Sequence, residues 1–155
     1  MITLQNKQRA VRVNTQALKK DAQAILGILD YADFDLAIVL VDNPTIHHYN
    51  KTYRGKDKPT DILSFSYHPS LRPGERIEAE DEDDKNIGDL IISPEYVVAQ
   101  LPELETTLDE RMRVLLVHGI CHLRGYDHEI DEDYEIMKTE EERLLDELRK
   151  NNVIS

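Results

Sequence analysis

Apolar residues recur along the chain in runs whose period changes from two to nearly four, and these runs define the expected elements. Residues 9–13, RAVRV, read as a short first strand. After Asn14 or Thr15, an N-cap candidate, Leu18, Ala22, Ile25 and Leu29 recur at helical spacing. Residues 35–41, DLAIVLV, form a β-branched apolar run expected as a buried strand. Asn43-Pro44 reads as N-cap plus first helical position, opening a helix to about Tyr53 that Gly55 closes. Residues 61–67, DILSFSY, form a third strand and 87–92, IGDLII, a fourth, ended by Ser93-Pro94. Between them, residues 69–86 hold two prolines, a glycine and the acidic run Glu78–Asp84, read as a solvated loop rather than a cation site. A helix is expected from about Thr107 to Arg124, with Gly125 as its stop. A last, charged helix runs from Asp131 to Lys150 on Tyr134, Met137, Leu144, Leu145 and Leu148.

The order β-α-β-α-β-β-α-α implies a sheet covered by helices. Crossovers through the first two helices favour parallel, right-handed pairing. No helix separates the third and fourth strands, so one of them is expected antiparallel at an edge. The expected fold is α+β, one domain over residues 1–155 with a small four-stranded mixed sheet packed with helices.

Composition changes this picture little. With 40% hydrophobic and 32% charged residues, a chain of 155 residues suits one globular core. No stretch approaches the roughly 18 apolar residues of a membrane span. The opening MITLQNKQRA lacks the apolar core of a secretion signal, so a cytoplasmic location with no membrane partner is expected. A single cysteine, Cys121, permits no intrachain disulfide and fits a reducing compartment. Charge matters more. Nineteen basic against 31 acidic residues give −12, which argues against broad binding to nucleic acid but leaves room for a local basic site.

The segment with distinctive chemistry is 117–129, VHGICHLRGYDHE. His118 and His122 are four apart, so on a helix they share a face, about 40° apart and one turn removed. That geometry lets two imidazoles reach one ion at about 2.0–2.1 Å. Gly125 can turn the chain sharply, bringing His128 back as a third nitrogen donor. Three neutral nitrogens leave a fourth position open, the pattern of a catalytic zinc rather than a structural one. The expectation is one zinc ion per chain on a zincin-like helix, although isolated surface or core histidines would read the same one at a time. His47, His48 and His68 show no such spacing, and Cys121 reads as a small buried residue.

The spacing H-x-x-x-H-x-x-G-x-x-H is that of the zinc proteases called metzincins, but Gly119 stands where they carry the glutamate that activates water. A peptidase mechanism thereby loses its base. Glycine within a helix also costs roughly 1 kcal/mol against alanine. A close pass of substrate or of neighbouring backbone would account for it.

Three blocks resemble the bacterial YbeY-type endoribonucleases: H-G-x-x-H-L-x-G-Y-D-H from His118 to His128, NKTYRGKDKPTDILSF from Asn50 to Phe65, and Gly88-Asp89 before an apolar strand. The acidic segment Glu75–Asp84 belongs to none of them. The resemblance implies that His118, His122 and His128 are zinc ligands and that Arg54 acts near the site. It implies single-stranded RNA as substrate, notably near the 3′ end of small-subunit (16S) ribosomal RNA. It also implies a part in ribosome quality control beside ribosomal proteins and an assembly GTPase.

The residues make physical sense of this. Lys51, Arg54, Lys56 and Lys58 oppose one acid, Asp57, within eight residues. Alone this would be a polar helix end. Beside a metal it suits RNA, with Lys51, Lys56 and Lys58 on phosphates and Arg54 forking onto two phosphoryl oxygens where charge develops. The base is not evident; Asp127, next to a ligand, is expected to orient a histidine. Two other readings stay open, a zinc peptidase or amidase and a ribosome-assembly factor whose metal is mainly structural.

Overall fold

Strand β1 spans Ile2–Asn6, upstream of the expected first strand at 9–13, in a computed structural model that describes residues 1–154, with side chains through Lys150. Ile2 is buried and Leu4 packs on the core, the alternation of a half-buried strand. Residues 9–13 form no strand because Gln8 occupies their backbone. Its Nε2 donates to the Val11 carbonyl at 2.8 Å and its Oε1 accepts the Val11 N–H at 3.0 Å. Helix α1, Thr15–Ile28, starts at Asn14, whose side chain accepts from the Ala17 N–H, and strand β2 is Asp35–Leu40. Helix α2, Asn43–Arg54, is capped by Asp42 rather than by the expected Asn43. The Asp42 carboxylate accepts from the Thr45 N–H at 3.0 Å and its hydroxyl at 2.6 Å, which sets Pro44 one position further in.

Strands β3, Ile62–Ser66, and β4, Asn86–Ile92, flank the loop, where the acidic run forms one short 3-10 turn, Glu82–Asp84. Three helices complete the chain instead of the two expected: α3, Pro94–Leu104, α4, Leu108–Leu123, and α5, Asp131–Ile154. Helix α3 escapes the hydrophobic pattern because it buries only Pro94 and Val97 and carries Pro102 inside it.

The strand order is β1-β2-β4-β3, parallel over the first three, with β3 antiparallel on the edge. The antiparallel edge matches expectation, but the second parallel crossover does not form. Strand β4 lies beside β2 because it is apolar on both faces, with Leu90 and Ile92 on one and Ile91 on the other. Ser64 and Ser66 suit β3 to an edge. One face of the sheet packs on α1 and α4, and the other carries α2, where Val39, Val41, Leu63, Phe65 and Ile91 meet Ile46 and Tyr49. Among the described residues no helix is long and apolar enough to cross a membrane.

Helix α4 positions the site. Met112, Leu115, Leu116, Ile120 and Leu123 are buried around most of its circumference. Arg111, Val114, His118 and His122 form the half-buried stripe that remains. A Cβ on Gly119 would lie 2.7 Å from Leu90 Cδ2 and 2.8 Å from Ile62 Cδ1. The glycine thus admits side chains of the sheet, not a substrate or a backbone, and alanine there would require the ends of Leu90 and Ile62 to shift.

Candidate metal centre

Helix α4 must stop in a defined way for His128 to return. The Tyr126 N–H bonds the Cys121 carbonyl at 3.1 Å and the Gly125 N–H bonds the His122 carbonyl at 3.0 Å, the paired closure of a Schellman motif. Gly125 takes a φ of 94°, and a Cβ there would stand 2.2 Å from the Leu71 carbonyl oxygen. Only glycine meets both demands. The turn then leads through Asp127 to His128, whose backbone N–H donates to Asp127 Oδ1 at 2.7 Å. Asp127 therefore fixes the turn instead of orienting a histidine ring.

The three histidines converge, with one ring nitrogen from each within 4.8 Å of the others. His118 Nε2 and His122 Nε2 face each other at 3.0 Å. The opposite nitrogens are both engaged. His122 Nδ1 lies 3.0 Å from the Tyr126 carbonyl, which only accepts, so Nδ1 carries the proton. His118 Nδ1 lies 3.1 Å from Glu141 Oε2 and donates to that carboxylate in the same way. Both Nε2 atoms then present lone pairs to one space. Two facing lone pairs repel, unless a cation or a proton lies between them. A soft-to-borderline divalent ion fits this donor set, since imidazole nitrogen is its common ligand.

Electrostatics keeps His122 ready to ligate. Burial, and then the charges of His118 and His128, push the His122 imidazole down to about 4, so at neutral pH it stays uncharged and able to ligate. Cys121 is fully buried, and burial pushes its thiol up to about 12. It is a packing residue, not a ligand or nucleophile.

Glu141 went unread in the sequence. It reaches His118 from α5, 23 positions away, and no local spacing announces it. The one signal is that Glu140 and Glu141 interrupt the buried stripe between Met137 and Leu144. A carboxylate behind a metal-ligating imidazole fixes its tautomer and raises its basicity.

The basic segment spans the end of α2 and the turn after it, against the edge strand β3. Arg54 ends α2 and donates from Nη2 to the Ser64 carbonyl at 2.6 Å, its guanidinium 4.7 Å from the Phe65 ring centroid. Lys51 is 4.0 Å from Asp57, while Lys56 and Lys58 are exposed on the turn after α2. Helix α2 packs on the sheet face opposite α4, and Arg54 reaches from its last turn to the edge strand β3. Strand β3 connects the two sides, since Ile62 packs at Gly119 and Ser66 Oγ donates to the Leu123 carbonyl at 3.0 Å.

The family of sequences described as Endoribonuclease YbeY matches residues 3–149. A human protein named Endoribonuclease YbeY is 36% identical over 147 residues, covering 95% of this chain and 87% of its own. One of the same name from Sulfurihydrogenibium is 40% identical over 137 residues, covering 88% and 84%. The solution structure of a Thermotoga maritima protein superposes with a TM-score of 0.57 at 26% identity, covering 97% of this chain and 93% of that one.

Proposed function

The chain belongs to the YbeY endoribonuclease family, and from that membership we propose that residues 1–155 form a zinc-dependent endoribonuclease that cleaves single-stranded RNA during maturation of the small-subunit ribosomal RNA. The observation that carries the metal assignment is the convergence of His118, His122 and His128 with two Nδ1 atoms already committed elsewhere. When bound there, zinc would polarise a phosphoryl oxygen and lower the pKa of a water. The chain's own part is to hold three imidazole donors in place and supply cations to the RNA. Arg54, at the edge of β3, is the candidate to fork onto phosphoryl oxygens as their charge grows, with Lys51, Lys56 and Lys58 on flanking phosphates. An RNA strand passing over that edge can touch both sides of the sheet.

A peptidase reading finds no support at Gly119, because a side chain there would point at Leu90 and Ile62. Since the net charge is −12, free RNA should bind weakly, and delivery by ribosomal proteins and an assembly GTPase in the cytoplasm completes the proposal. The test compares wild type, His122→Ala and Arg54→Ala for bound zinc and for cleavage of ribosomal RNA and of a peptide panel. His122→Ala should lose zinc and RNA cleavage together. Arg54→Ala should keep zinc and slow single-turnover cleavage more than it weakens binding. Peptide cleavage, or RNA cleavage that survives complete zinc removal, would refute the assignment.

A further inference from the structure

The sheet face that carries α2 ends in a group of three rings, one exposed and two half-buried, that the metal chemistry does not use. Tyr53, in the last turn of α2, is 60% exposed. Its ring stacks on Tyr49 at 5.9 Å and 20°, and meets the edge of Phe65 at 5.6 Å. The Arg54 guanidinium lies over the Phe65 ring, 4.7 Å from its centroid. Lys56 and Lys58 project from the adjoining turn, which buried Asn50 holds by donating from Nδ2 to the Lys58 carbonyl at 2.9 Å. Asp57, the acid in that turn, already faces His47 at 2.7 Å and Lys51 at 4.0 Å. A second acid, Asp89, is exposed and shares the face of Phe65, its partner in the sheet register, while the cations Lys56 and Lys58 lie on the turn after α2.

Two properties of this patch select its occupant. Tyr53 is held by its neighbours, so docking a flat ring on it costs little further side-chain entropy. The rim is cationic in a chain whose net charge is −12, which favours a polyanion over an apolar protein surface. A polyanion with flat rings available for stacking is a single-stranded nucleic acid, whereas a duplex hides its bases.

We propose that Tyr53, backed by Tyr49 and Phe65, is a base-stacking platform for single-stranded RNA, with the neighbouring phosphates on Lys56 and Lys58. The proposal rests on the reading of the chain as an RNA hydrolase and adds a second hold on the strand, across β3 from the histidines. Because every base has a π face, the platform grips single strands with little regard to sequence.

The chain has no tryptophan, so Tyr53→Trp places a single fluorescent reporter in the platform. The zinc-loaded variant is mixed by stopped flow, ahead of turnover, with a short single-stranded RNA, a duplex, or an abasic ribose-phosphate chain of equal length. The single strand should quench the indole, and the abasic chain and duplex should not. In parallel, Tyr53→Ala should weaken binding of the single strand about 5- to 100-fold, while Tyr53→Phe stays within about twofold of wild type. Equal quenching by abasic and base-bearing chains, or unchanged affinity in Tyr53→Ala, would overturn the platform. Should Tyr53→Ala not fold, the three ligands added to Tyr53→Trp still decide. Failure of the platform would leave zinc-dependent RNA cleavage intact in wild type, whereas failure of the hydrolase reading would remove that cleavage whatever stands at position 53.

Discussion

Each of the two helical imidazoles has one nitrogen committed before any ion arrives, and the partners differ in kind. His122 is held by the Tyr126 carbonyl, a product of the turn itself, whereas His118 depends on the Glu141 side chain from another helix. The second arrangement is the one a mutation can remove without disturbing the turn. Glu141→Ala should weaken zinc binding about 10- to 100-fold, measured by competition with a chelator. Glu141→Gln keeps an acceptor for the Nδ1 proton and should lose less. Helical content should be unchanged in both. If Glu141→Ala holds zinc as tightly as wild type, the carboxylate is a surface partner and not a positioning residue.

At the scale of elements, α5 is fastened to the end of α4 by a charged cluster beside the centre. Glu140 accepts from Arg124 Nη1 at 2.7 Å and from Arg143 Nε at 2.7 Å, so the carboxylate bridges the stop of α4 and the middle of α5. Burial works against the Glu140 charge, but hydrogen bonds from Arg143 and Arg124 outweigh it and hold the carboxyl below its ordinary 4.5. The unfolded chain therefore takes up this proton at a higher pH than the folded one. Between those two values the unfolded state binds more protons, so stability falls as pH falls. The contribution is complete above about 4.5 and is lost as pH drops through the lower, folded value. Glu140→Gln should cost about 2–3 kcal/mol at pH 7, since it leaves Arg124 poorly matched in a partly buried place. Urea denaturation at several pH values should show that gap closing in acid. A gap independent of pH would mean that Glu140 contributes by packing alone.

For the whole molecule, the distribution of charge matters more than its sum. The acidic run lies in the loop before β4, while the cations Arg54, Lys56 and Lys58 gather at the end of α2. Three or four phosphate contacts there predict a slope of log affinity against log salt of about −2 to −3, at about 0.7 per contact for a single strand. Neutralising Lys56 and Lys58 together should flatten it by roughly 1.4 and leave zinc content unchanged, with anisotropy of a labelled RNA across a salt series as the measurement. A slope that does not move would place the RNA on another surface.

Much of this protein is local and was therefore legible. Helical spacing places His118 and His122 on one face because the repeat of the α-helix is the same in any context. Gly125 marks the turn because a side chain is strained at its positive φ, and the acidic run Glu80–Asp84 carries no apolar residue to bury. What the sequence alone left undecided depends on contacts between distant segments. Which run becomes β1 was settled by Gln8 engaging the backbone of Val11, and the place of β4 between β2 and β3 by its apolar residues on both faces. Helix α3 shows too narrow a buried stripe for periodicity to reveal it. Glu141 behind His118, the fit of Gly119 against Leu90 and Ile62, and the ring cluster joining α2 to Phe65 each pair residues far apart in the chain. The sequence by itself determined which residues can bind a metal; the tertiary structure decided which side chains hold those residues in position, because such pairings exist only once the sheet and helices have packed.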